Sequence, residues 1–60
     1  MIVIFGIYLR DRETKRIMWF THTEFNVEDI QQTIIDIMVD TSDYDFECIK
    51  VKLIEILSFT

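Results

Sequence analysis

"FNVEDIQQTIIDIMVD", residues 25–40, decides how this chain folds. At about 100° per residue, Val27, Ile30, Ile34, Ile37 and Met38 fall within an arc of roughly 100°, enough to seat a helix on a sheet. Asn26 is a good N-cap, and Asp29 sits three residues later, near the capping-box position. Phe25, ahead of that cap, is placed to staple onto Ile30. Glu28 and Asp29 suit the positive end of the helix dipole. The spacing predicts a helix over about 27–40. Ile35 and Val39 fall outside the core arc, about 60° and 100° past Met38. Their neighbours on that flank are Glu28, Gln31, Gln32 and Asp36. Two readings of this second stripe stay open: a broad core face, or an apolar centre with a polar, acidic rim that meets a partner.

The flanking segments read as strands. "IVIFGIYLR" (2–10) is β-branched and aromatic, with Val3, Phe5, Ile7 and Leu9 on one face and Ile2, Ile4, Gly6 and Tyr8 on the other. Gly6 marks a bulge or a close backbone approach. "DRET" (11–14) is a break of hairpin-loop length, and "KRIMWFTH" (15–22) is the return strand. Ile17, Trp19 and Thr21 alternate there with Met18, Phe20 and His22, so neither face is wholly polar. After the helix comes the polar loop "DTSDYD" (40–45), then a last strand over about 47–58. Strict alternation points Ile49, Val51, Leu53 and Leu57 one way, and Lys50, Lys52, Ile54 and Ile56 the other. The expected fold is one α+β domain over 1–60, in the order β-β-α-β. A three-stranded antiparallel sheet carries the helix on one face. The opposite face, with Tyr8, Met18 or Trp19, Ile54 and Ile56, is exposed in a monomer.

Composition points to a partner. Half of the 60 residues are hydrophobic, and Phe, Tyr and Trp number five, two and one. A chain this short buries only about 60% of its unfolded surface. The single cysteine, Cys48, excludes an internal disulfide, so a second copy or another protein is the expected remedy. The net charge of −5 speaks against nucleic-acid binding and suits a basic protein partner, or imitation of nucleic acid at a DNA-binding site. The apolar opening of nine residues is too short to span a bilayer and lacks the flanks of a signal peptide. A cytoplasmic location without membrane association is expected, and a lone reduced cysteine fits it.

Catalytic motifs are absent, and no cofactor or metal is expected. His22 with Glu24 could form a base, but no nucleophile lies near it in sequence, so a structural histidine is expected. Asp40, Asp43, Asp45 and Glu47 cluster without the glycine and the spaced glutamate of a calcium loop, which reads as a solvated acidic loop. Cys48, in an apolar strand beside Glu47, reads as a small core residue. Trp19 and Phe20 could stack bases, but such platforms come with a basic groove, and core or interface is the expected fate.

The chain resembles one known family. "YLRDRETK" (8–15), His22 after an aromatic strand, and above all "ECIKVKLIEIL" (47–57) are similar to the compact phage-encoded inhibitor of uracil-DNA glycosylase. In the last stretch the likeness is carried by Glu47, Ile49, Lys50, Val51, Lys52, Leu53, Ile56 and Leu57. The resemblance covers most of the chain from Tyr8 onward, with gaps around the helix. It implies a β-β-α-β homodimer that is not an enzyme. In that family two helices line an apolar pocket that grips a protruding leucine of the glycosylase, and acidic groups beside it imitate DNA phosphates. The family's helix carries an aromatic, an acid, two core aliphatics and a second aromatic. An ungapped match sets the aromatic, the acid and the second aromatic on Ile30, Gln31 and Ile34. A match with a longer lead into the helix sets them on Ile35, Asp36 and Val39, with Ile37 and Met38 in the core places. The second keeps the acid and agrees with the helical geometry. Both aromatics are aliphatic here, a departure that touches affinity and target.

These readings give a partner-binding set of Ile35, Asp36, Val39, Gln31, Gln32, Glu28, Asp40 and Asp43. The expected partner is uracil-DNA glycosylase. The alternative is a small interaction module that inhibits another host factor.

Overall fold

The computed structural model describes residues 1–59. Three strands, β1 (Ile2–Asp11), β2 (Ile17–Glu24) and β3 (Phe46–Ser58), and one helix, α1 (Ile30–Thr41), follow each other as β1-β2-α1-β3. The sheet is antiparallel throughout, in the order β2-β1-β3. This is the α+β arrangement expected from the hydrophobic patterns.

β1 is central, and its alternation makes the core. Val3, Phe5, Ile7 and Leu9 are buried on the helix side, joined by Val27, Ile37 and Cys48. Met1, Ile30, Ile34, Met38, Phe46, Val51 and Ile56 pack around them, partly buried. The molecule extends 41 × 16 × 13 Å. A helix of 12 residues spans about 18 Å, so it cannot roof the whole sheet. Its main packing is against β3. Every residue of β2 except Glu24 is exposed.

The two edges of the sheet differ. β2 pairs with β1 in unbroken register, from Val3–Glu24 to Arg10–Ile17. β3 pairs with β1 from Ile2–Ser58 to Asp11–Phe46, with three register shifts that leave Ile49, Ile54 and Leu57 as extra residues of β3. This corrects the strict alternation expected of the last strand. Cys48, Val51, Leu53 and Ile56 lie opposite Leu9, Ile7, Phe5 and Val3, so Ile56 belongs to the helix side. Each extra residue shifts the phase of the strand by one, which period-2 reasoning cannot see. Met18 likewise lies opposite Leu9 on the helix side, and Trp19 lies opposite Tyr8 on the reverse. Gly6 marks a close approach: a Cβ there would stand 3.1 Å from Ile54 Cδ1.

The helix begins three residues later than its periodicity predicts. Asp29, not Asn26, is the N-cap, and its carboxylate accepts the Gln32 N–H at 3.1 Å. Asn26 adopts φ 58°, a left-handed turn that Asn tolerates. That turn sends Val27 into the core, with its N–H donating to the Met1 carbonyl at 2.9 Å. Phe25 is left exposed, and the expected staple to Ile30 lies outside the true cap. At the other end the Cys48 N–H donates to Ser42 Oγ at 3.1 Å, tying the end of α1 to β3.

Two loops close one end of the sheet. In 12–16, Asp11 Oδ1 accepts the N–H groups of Glu13 and Thr14, and Lys15 takes φ 66°. In 42–45, Asp43 Oδ1 accepts those of Asp45 and Phe46, both at 2.8 Å. Arg12 joins the loops: its N–H donates to the Asp45 carbonyl at 2.9 Å and its Nε to the Asp43 carbonyl at 3.0 Å. Among the described residues no helix is long and apolar enough to cross a membrane.

Candidate functional site

The outer side of α1 carries the second apolar stripe. Ile37 is 7% exposed, whereas Ile35 is 53% and Val39 69% exposed. Within one chain, the reading that Ile35 and Val39 widen the core is therefore excluded. The helix keeps Ile34, Ile37 and Met38 on the sheet and sets Ile35 and Val39 in water. Asp36 lies between them in sequence, also exposed, and its Oδ1 accepts the Gln32 Nε2 at 3.0 Å, one helical turn away. That bond steadies the carboxylate beside the stripe.

Gln31, Gln32, Ile35, Asp36 and Val39 thus share the exposed part of α1, with Asp40 in its last turn. Glu28 lies just ahead of the Asp29 cap. Asp43 is beyond the helix and serves chiefly as the acceptor that shapes the 42–45 turn. The acidic loop does not gather into an ion site: among the described residues no three His, Cys, Asp or Glu side chains could hold a metal together.

Charge is segregated along the chain. Residues 17–46 contain Glu24, Glu28, Asp29, Asp36, Asp40, Asp43 and Asp45 and no lysine or arginine. All six bases lie in 10–16 and 50–52. Of those seven acids only Glu24 reaches a basic side chain among the described residues, with its Oε2 2.7 Å from His22 Nε2. The others present an uncompensated negative field on and around the helix. His22 itself is exposed on β2, opposite Phe5, and the described contacts bring no nucleophile to it. Cys48 is buried, and its Sγ lies 3.8 Å from the Lys50 carbonyl oxygen.

The register sharpens two expectations about the second strand. Met18 and Phe20 lie opposite the buried Leu9 and Ile7 yet remain exposed, because the helix sits toward β3. The lack of a polar face in "IMWF" was the available signal. On the reverse side, Trp19, Tyr8 and Lys50 form one cross-strand row. Comparison with family models, characterised proteins and solved structures returned no match for this chain.

Proposed function

We propose that this protein is a dimeric, acidic, non-enzymatic inhibitor that occupies the DNA-binding site of uracil-DNA glycosylase. The observation that carries this reading is the exposed pair Ile35 and Val39 flanking Asp36, in a segment of seven acids with no lysine or arginine. An apolar centre excludes water from the contact, and the surrounding negative field steers a DNA-binding surface toward it. Ile35 and Val39 supply the apolar contact for a side chain of the enzyme. Asp36 meets a backbone amide or a DNA-contacting polar group there. Glu28, Gln31, Gln32, Asp40 and Asp43 form the rim and the wider field.

The second copy adds along β2. That edge is regular, bears no charged side chain from Ile17 to Thr21 and is apolar on both faces, the features that invite strand pairing. The β3 edge is blunted by three extra residues and by Lys50 and Lys52. Pairing through β2 sets two helices on the same side of a six-stranded sheet, across a trough floored by Met18 and Phe20.

Uracil excision by purified glycosylase tests the function. Stoichiometric protein is expected to abolish excision, and Ile35→Asp or Asp36→Lys to restore it. Unchanged excision with no complex on a native gel ends this reading, whereas capture of another host factor through the same helix favours the broader interaction module. Sedimentation tests the dimer separately: a mass near one 7.3 kDa chain at micromolar concentration contradicts it.

A further inference from the structure

We infer that the reverse face of the sheet is a binding platform for single-stranded nucleic acid. The three strands present their side chains there in cross-strand rows. One row is Trp19, Tyr8 and Lys50; the next is Thr21, Gly6 and Lys52. The Tyr8 and Trp19 rings stack at 5.9 Å between centroids with 18° between their planes. Lys50 Nζ lies 5.8 Å from the Tyr8 centroid, and Trp19 is 59% exposed. Ile54, lying against Gly6, extends the apolar floor.

This layout matches what a single strand needs. Aromatic faces stack unpaired bases without regard to sequence, while a line of cations tracks the phosphates. Here the rings sit on β2 and β1, and the cations stand along β3. Neither Lys50 nor Lys52 is ion-paired among the described residues. Arg10 and Arg12 both reach Glu47, at 3.6 and 3.7 Å, which leaves that cluster with a surplus positive charge. Glu55 is the remaining acid of this face.

The net charge of −5 does not forbid such binding, because residues 17–46 hold seven acids and no lysine or arginine, while the remainder has six bases against four acids. The negative field around the helix repels the same ligand and confines it to the reverse face. An apolar partner would leave the lysines without acceptors, and an acidic peptide would leave the aromatic pair unused. This inference does not depend on the glycosylase reading.

Trp19 is the only tryptophan, so its fluorescence reports on this face. Titration with a short oligothymidylate at low salt is expected to quench it saturably, with a dissociation constant of about 10–100 µM. Replacing both lysines (Lys50→Gln with Lys52→Gln) is expected to lower the slope of log K against log salt by about 1.4, two phosphate contacts' worth. Unquenched fluorescence at millimolar oligonucleotide overturns the inference, as does undiminished quenching in a folded double-lysine variant.

Discussion

Ile54 lies on the one glycine of the chain: a Cβ built on Gly6 would meet Ile54 Cδ1 at 3.1 Å and Cγ1 at 3.5 Å. The contact spans two adjacent strands and exists because Ile54 is an extra residue of β3, turned onto the reverse face. Glycine in a strand costs about 0.5–1 kcal/mol relative to alanine. Ile54 is half exposed, so its terminal methyl has room to rotate. Gly6→Ala is therefore expected to leave stability within about 1 kcal/mol of wild type in urea unfolding. A larger loss would show that Ile54 is locked in place, and Gly6→Ala with Ile54→Ala would then recover it.

The cap assignment separates two residues that look alike in sequence. Asp29 accepts the Gln32 N–H and is expected to cost about 1 kcal/mol on replacement by alanine. Asn26 caps nothing and holds φ 58°, so Asn26→Gly is expected to be neutral or stabilising. Chemical denaturation of both variants checks this. Equal losses at the two sites would place the helix start back at residue 27.

The two stripes of α1 should separate stability from binding. Ile37→Ala removes a buried side chain and is expected to cost about 2–4 kcal/mol. Ile35→Ala and Val39→Ala alter exposed positions and are expected to change monomer stability by less than about 0.5 kcal/mol. Thermal unfolding measures the first effect and glycosylase binding the second. A large stability loss at Ile35 that vanishes on dilution would assign that residue to the dimer interface.

Asp11 should titrate low. The backbone N–H groups of Thr14 and then Glu13 donate to its carboxylate, holding its pKa below the ordinary 3.8. Because the folded value is depressed, the contribution to stability is present above the unfolded pKa near 3.8 and fades as pH falls through the lower folded value. Carboxyl chemical shifts followed by NMR from pH 6 downward are expected to place the Asp11 midpoint below the ordinary 3.8. Asp11→Asn should flatten the acid limb of the stability profile, and an unshifted Asp11 midpoint would refute the turn geometry.

The sequence by itself determined the order of elements, the core-facing side of the first strand and the double stripe of the helix. These are local periodicities: alternation exposes Val3, Phe5, Ile7 and Leu9 as one face, and 3.6-residue spacing separates Ile34, Ile37 and Met38 from Ile35 and Val39. The tertiary structure decided what depends on distant backbone. Val27 has helical spacing, yet its N–H is taken by the Met1 carbonyl, so the helix starts at Ile30. Ile49, Ile54 and Leu57 break the period of β3 because register is set by pairing with β1, and Ile56 crosses to the helix side as a result. Charge behaves the same way. The total of −5 was legible at once, but only the pairing of Tyr8 with both Trp19 and Lys50 brings aromatics and cations into one row across the face away from the helix.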